Sequence, residues 1–304
     1  MSAPAGIGDR RAALAGLAAI AVVWGINWPI MKVGVLAIGP VEFAVLRCLL
    51  GALTMFALTA ALGVLRWPAR ADWPLILHLG VLQTAAFLIL VSKALEVVGA
   101  GRSAVLAYTT PMWVAPLSVL LLGERLSLPI VVGAVLAMAG VGVLLGPAQM
   151  DWGSVPTVTA NAMLLLAALL WSFAIVHLRA HHWVGSVLQA LPWQLGVATL
   201  VLLGWWVLAE PRREAEWSGG VVAAVVFNGV VATGFAFWLM NVLSRRLPAM
   251  LTALASLAVP PVGVAASALA LGEPITAGML LGAALVLGGL ALTIRAPPPR
   301  TATP

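Results

Sequence analysis

Residues 101–146 and 250–295 repeat one another at an offset of 149 positions. Pro111 aligns with Pro260, Leu122-Gly123-Glu124 with Leu271-Gly272-Glu273, Gly133-Ala134 with Gly282-Ala283, and Gly140 with Gly289. Alanine, leucine and glycine are so abundant in this chain that some of these matches carry no weight. Glutamate is different: only seven occur, and two of them fall at equivalent places downstream of equivalent prolines. A fixed-period repeat constrains a fold more than any single motif. Both copies lie in apolar stretches of membrane-crossing length, so the pattern points to a duplicated membrane bundle, an architecture used mainly to move solutes.

Composition agrees. With 62% hydrophobic residues, 9% charged residues and a mean hydropathy of +1.09, the chain has no polar surface to offer water. A pI near 11.0 would suit a nucleic-acid binder only if the basic residues formed a patch. They stand singly or in pairs between apolar runs, which argues against nucleic acid as a partner. The single cysteine, Cys48, lies inside an apolar run and supports neither a disulfide framework nor a thiolate cluster. Arg10-Arg11 precede the first apolar stretch. That stretch ends in Trp24-Gly25-Ile26-Asn27-Trp28-Pro29 rather than a small-residue cleavage site, so it reads as an uncleaved span.

Apolar runs fall at 12–32, 41–65, 74–94, 102–122, 128–146, 158–178, 185–209, 219–241, 249–271 and 277–295. Each approaches the roughly 20 residues that cross a hydrocarbon core as a helix. Period-two alternation is missing, and lipid admits only helices or closed barrels. The expected fold is therefore all-α and integral to the membrane, with ten transmembrane helices. Its parts are a tail (1–11), a first repeat (12–146), a linker (147–157), a second repeat (158–295) and a second tail (296–304). With the amino terminus inside, ten Lys/Arg residues (Arg10, Arg11, Arg66, Arg70, Arg125, Arg179, Arg245, Arg246, Arg295, Arg300) face the cytoplasm and five (Lys32, Lys93, Arg102, Arg212, Arg213) face outward. That bias places both termini in the cytoplasm and the linker outside. Five spans per repeat is an odd number, so the second copy enters the membrane inverted. Trp24 and Lys32, eight apart, have counterparts in Trp171 and Arg179 on the opposite side. Inverted repeats typically hold a substrate near the midplane and support alternating access.

Polar groups at depth are costly and usually face the bundle interior. Asn27, Gln83, Gln194, Asn228 and Ser256 are therefore substrate-pathway candidates, or else hydrogen-bonding glue between helices. Arg47 is the deepest charge, whereas Glu42 lies closer to a span end. Trp24, Trp113 and Trp171 are too central for an interfacial belt, as is Trp193, and Tyr108 stands one turn from Pro111. These rings either pack the core or face an apolar or aromatic substrate. Pro111 and Pro260 each free a backbone carbonyl, as packing kinks or as hinges and cavity walls. His177, His181 and His182 form an H-x-x-x-H-H string, but His78 is the only other histidine, too few for a two-metal site. No catalytic constellation, cofactor or metal is expected.

Trp24-Gly25-Ile26-Asn27 followed by Lys32 resembles the opening helix of EamA-type members of the drug/metabolite transporter superfamily. The doubled signature, Pro111 with Gly123-Glu124-Arg125 and Pro260 with Gly272-Glu273-Pro274, is similar to the fourth and fifth helices of each EamA repeat. Arg47 matches an arginine common on that family's second helix. The resemblance covers about residues 12–295. It implies ten helices in two inverted halves and export of small metabolites, often amino acids, across the inner membrane of a bacterium. The second half departs from it: Trp171 is followed by Ser172-Phe173-Ala174, without the asparagine, and the Arg47 equivalent is Gln194. Phosphorylated substrates would call for several buried cations, and cationic drugs for a buried carboxylate. A zwitterion with an apolar or aromatic side chain suits Trp, Tyr, Gln, Asn and one Arg best. With neither Asp nor Glu deep in the spans, facilitated export is expected rather than proton coupling. The partners expected are an amino-acid substrate and the lipid bilayer, with the protein a monomer or weak homodimer. The competing readings are a proton-coupled multidrug or cation exporter and, more remotely, a membrane enzyme or scaffold.

Overall fold

The structure, a computed structural model, describes residues 7–124, 126–144, 151–211, 213–247 and 258–294. Ser256, the start of the expected ninth span (249–257) and the tail beyond 294 lie outside the described residues. Seven helical stretches are long and apolar enough to cross a membrane. They are α1 (Ala15–Ile38, the membrane-length part of a helix starting at Ile7), α2 (Pro40–Ala61), α3 (Arg70–Val97), α4 (Ala100–Leu122), α6 (Val155–Ala180), α7 (Val187–Ala209) and α8 (Gly219–Arg245). Three shorter apolar helices complete the described set: α5 (Leu128–Leu144), α9 (Val259–Leu271) and α10 (Ala277–Ile294). Seven of the expected spans coincide with membrane-length helices and the other three with the shorter ones, the ninth only over 259–271; the helix that contains α1, Ile7–Ile38, runs beyond 12–32 at both ends. Pro29 lies within α1 without ending it.

The duplication seen in the sequence recurs as duplicated backbone devices. Both α3 and α8 widen into π-helix, over Leu79–Ala86 and Phe227–Phe235. Such widened turns collect at functional places because they leave carbonyls free for other partners. Helices α4 and α9 both end on a left-handed glycine, Gly123 at φ 64° and Gly272 at φ 66°. An added Cβ would touch nothing within 4 Å at either site, so it is backbone conformation that calls for glycine here. Helices α5 and α10 then pack at backbone distance. A Cβ at Gly140 would lie 2.7 Å from the Gly282 oxygen, and one at Gly289 would lie 2.3 Å from the Gly133 oxygen. Because Gly133 is equivalent to Gly282 and Gly140 to Gly289, the contact is reciprocal, and it requires these two helices to run antiparallel.

Proline placement follows helix chemistry. Helix α4 breaks at Tyr108–Thr109 and restarts at Thr110, so Pro111 falls in a first turn, where its missing N–H costs nothing. Pro260 occupies the same position in α9. At one end of the bundle, the connector between α7 and α8 is tied to α1 and α3. Lys93 pairs with Glu210 at 2.7 Å and Arg213 with Glu96 at 2.6 Å, while the Glu216 N–H donates to the Ala37 carbonyl at 2.9 Å. The Glu273 carboxylate accepts from the N–H groups of Ala100 and Gly101, at 2.7 and 3.0 Å, capping α4. Trp193 is not central, as its place in a long apolar run suggested. It packs against Trp67 and Trp73, with ring centroids 4.4 and 6.2 Å away, and donates to the Arg66 carbonyl. Helix α7 starts only at Val187, so Trp193 lies less than two turns from its end.

Candidate functional site

An aromatic cluster marks the centre of the bundle. Trp24 on α1 meets Trp171 on α6 edge to face at 5.5 Å, and Phe237 on α8 lies against both rings, at 5.8 and 5.4 Å. Phe87 on α3 stands 4.9 Å from Trp171. The Trp24 ring N–H donates to the Ala232 carbonyl at 2.9 Å, inside the π segment of α8. A tryptophan deep in lipid needs such a partner, and the widened turn supplies it.

Beside this cluster lies a cavity whose empty space, open mouth included, is about 490 Å³. Trp24, Asn27, Arg47, Tyr108 and Trp171 all line it, so five sequence candidates from four helices converge. Trp28, Met31, Phe87, Thr110 and Phe237 also line it and escaped the sequence reading. A signal for two of these was available. Trp24, Asn27, Trp28 and Met31 follow the three-and-four spacing of one helix face, so the Trp24 face of α1 already implied its neighbours. Phe87 and Phe237 carried no such mark among the many apolar residues of α3 and α8.

Arg47 is the charged member. It is 2% exposed. Its Nε and Nη2 donate to the Thr233 hydroxyl at 3.1 and 2.9 Å, and its Nη1 reaches the Met31 sulfur at 2.8 Å. Every one of these partners is neutral. Among the described residues no carboxylate pairs with Arg47. A buried cation costs several kcal/mol unless a counter-charge meets it, and a guanidinium can take a carboxylate through two parallel hydrogen bonds. Glu42 stands in the first turn of α2 and does not line the cavity.

The remaining candidates lie elsewhere. Gln194 on α7 donates to Gln83 and Thr84 on α3, both at 3.2 Å, and accepts from Asn241 on α8 at 3.0 Å. This buried network joins three helices away from the cavity lining. Asn228 donates to Ala224 within its own helix at 3.0 Å. Trp113 is partly buried and is not among the lining residues. The histidines form a further cluster. His78 and His177 are hydrogen-bonded through their Nδ1 atoms, and His181 pairs with Asp72 at 3.0 Å. Asp72 also accepts from the N–H groups of Val184 and Gly185. No group of three or more His, Cys, Asp or Glu among the described residues is placed to hold a metal. Outside the spans, burial pushes the Glu124 carboxyl above its ordinary range, and Arg179 opposes that rise.

A helical membrane bundle with duplicated devices, enclosing a small cavity walled by rings and one cation, is the build of a solute transporter. The EamA-like transporter family model matches residues 11–146 and 158–295, and the chain belongs to that family. The uncharacterized transporter YoaV of Bacillus subtilis is 25% identical over 279 residues, covering 90% of this chain and 94% of its own length. A probable amino-acid metabolite efflux pump of Salmonella typhimurium is 26% identical over 286 residues (90% and 92%). A probable terminal-alkyne amino-acid exporter of Streptantibioticus cattleyicolor is 26% identical over 282 residues (90% of each). A solved crystal structure shares the fold, with a TM-score of 0.72 and 24% identity over 92% of this chain and 96% of that one.

Proposed function

We propose that this protein exports amino acids with apolar or aromatic side chains across the bacterial inner membrane, by facilitated flux. The single observation that carries the reading is Arg47, a buried guanidinium with no counter-ion among the described residues, in a cavity lined by aromatic rings and neutral side chains. A substrate carboxylate would complete its pairing, while the rings of Trp24, Trp28, Tyr108 and Trp171 would receive the side chain. The names of the Salmonella and Streptantibioticus relatives support the same substrate class. In this reading the ten helices form two inverted halves with both termini in the cytoplasm. The reciprocal contact of α5 and α10 supports the inversion. Alternating access would rock one half against the other, with the break of α4 ahead of Pro111 as a hinge and Pro260 as its counterpart. Gln83 and Gln194 would hold helices together instead of touching substrate, and Asn228 would bond within its own helix away from the cavity lining.

A cation exporter fits less well, because a cationic solute would meet the like charge of Arg47 and find Glu42 outside the cavity. The described cavity lining contains no Asp, Glu or His, which favours uncoupled flux. Purified protein in proteoliposomes, offered labelled Phe, Trp, Thr and a lipophilic cation, tests the proposal. Flux of Phe and Trp is expected. Flux of the cation alone would transfer the protein to the multidrug reading, and no flux of any solute would favour a non-transport role.

A further inference from the structure

We propose that Asn27 binds the ammonium group of the solute, so that the cavity selects molecules carrying a free amine beside their carboxylate. This rests on the reading of the cavity as a transport site and specifies its chemistry.

Asn27 is 5% exposed and lines the cavity. Its amide nitrogen donates to the Met31 sulfur at 3.2 Å, while its Oδ1 is buried with no hydrogen-bond partner among the described residues. A thioether only accepts, so the sulfur fixes the nitrogen end of the amide and leaves the oxygen as the free end. A buried acceptor left unmet in a native protein calls for an explanation, and a ligand donor is the one a cavity wall suggests. The same sulfur is reached by Arg47 Nη1 at 2.8 Å. The Asn27 nitrogen and the Arg47 nitrogen are therefore no farther apart than those two contacts end to end. The two charges of an α-amino acid hang from one carbon, which suits an acceptor on the same amide as that nitrogen beside a guanidinium bonded to the same sulfur.

The choice of an amide also has a reason. An aspartate or glutamate at this position would pair with Arg47 and cancel it in the empty protein. A neutral acceptor leaves the guanidinium available for the carboxylate while still meeting the amine. The second half offers no duplicate: counting from Trp171 as Asn27 counts from Trp24, the equivalent residue is Ala174. Ser172 is already satisfied by the Ala168 and Thr110 carbonyls. The cavity then has one ammonium subsite, on α1.

Competition against labelled Phe flux in proteoliposomes tests the assignment. The competitors are Phe, 3-phenylpropionate (no amine), N-acetylphenylalanine (amine neutralised) and phenethylamine (no carboxylate). In the unmodified protein the three analogues should compete about 10- to 100-fold more weakly than Phe, the span expected for one charged hydrogen bond. Asn27→Ala should bring Phe down to the level of 3-phenylpropionate, so the preference for the amine disappears. If 3-phenylpropionate matches Phe in the unmodified protein, the ammonium subsite is refuted while the transport reading stands. If Asn27→Ala folds and keeps the preference, the rings hold the amine and the assignment to Asn27 falls. Absence of Phe flux in the unmodified protein overturns both readings together. Should the variant not fold, the analogue series in the unmodified protein still decides whether the cavity requires an amine.

Discussion

Replacing Arg47 by methionine separates a functional arginine from a structural one. An arginine that holds helices together destabilises the protein when removed, and flux falls with the yield of folded protein. An arginine kept for a ligand behaves in the opposite way. Arg47 is desolvated and its partners are Thr233 and Met31, both neutral. Replacing buried charges by apolar side chains of similar volume has stabilised proteins by about 1–4 kcal/mol. Against that stands the loss of two donors to the Thr233 hydroxyl. A hydroxyl on a helix can recover by donating to its own preceding turn, as Thr54, Thr59 and Thr199 do at 2.7, 2.7 and 2.8 Å in this chain. A net gain of about 1–2 kcal/mol is the expected outcome. The measurement is the thermal unfolding midpoint in detergent, followed by tryptophan emission, beside Phe flux per folded molecule. Arg47→Met should melt higher than the parent and lose nearly all Phe flux. A midpoint lowered by several degrees would refute the reasoning, since the guanidinium would then be part of the scaffold.

Other outcomes follow from the same contacts. Gly289→Ala places a methyl 2.3 Å from the Gly133 oxygen and should cost about 1–3 kcal/mol, read as a lower melting midpoint; Gly123→Ala, which strains only a left-handed backbone, should cost about 1 kcal/mol. Gln194→Leu strands the amides of Gln83 and Asn241 and should destabilise by about 2–3 kcal/mol, while Phe flux per folded molecule survives because the network lies outside the cavity. Trp171→Ala removes a cavity wall and should depress Phe flux at near-normal folded yield; unchanged flux would move the pathway elsewhere. A reporter enzyme fused after Arg300 should behave as cytoplasmic, and an external signal would reverse the proposed orientation.

Helix order was legible in this sequence because lipid leaves few alternatives: hydropathy and length alone mark most of the elements. The repeat was legible because Pro, Gly and Glu are constrained types amid interchangeable Ala and Leu. Of the site, the polar and bulky half could be read, as Trp24, Asn27, Arg47, Tyr108 and Trp171 were conspicuous at depth. Depth, however, does not tell a cavity wall from a helix seam. Gln83 and Gln194 looked equivalent to Asn27, yet they satisfy one another across α3 and α7. Pairing across 111 residues has no signature in one sequence. The π segments were equally invisible, because a one-residue change in hydrogen-bond register leaves no compositional trace in an apolar run.

The two halves have diverged unevenly, and the pattern of divergence bears on how the protein works. Devices that shape backbone are present twice: the π segments of α3 and α8, the left-handed glycines 123 and 272, and the close approaches of Gly140 to Gly282 and of Gly289 to Gly133. The polar cavity groups Asn27 and Arg47 are present once, although Trp24 recurs as Trp171. Asn27 has Ala174 as its counterpart, and Arg47 has Gln194, which is engaged in a seam. Pairs of structural elements that must adopt two equivalent arrangements in turn need equivalent backbones, so selection on motion would keep those devices symmetric. A single solute with one carboxylate and one side chain needs no second arginine, and a second buried cation would only add to the desolvation cost. A near-symmetric frame around a one-sided cavity lining is compatible with the proposed alternating access by inverted halves. Restoring symmetry at the chemical positions, with Gln194→Arg as the sharpest case, should break the α3–α7 seam without creating a second site.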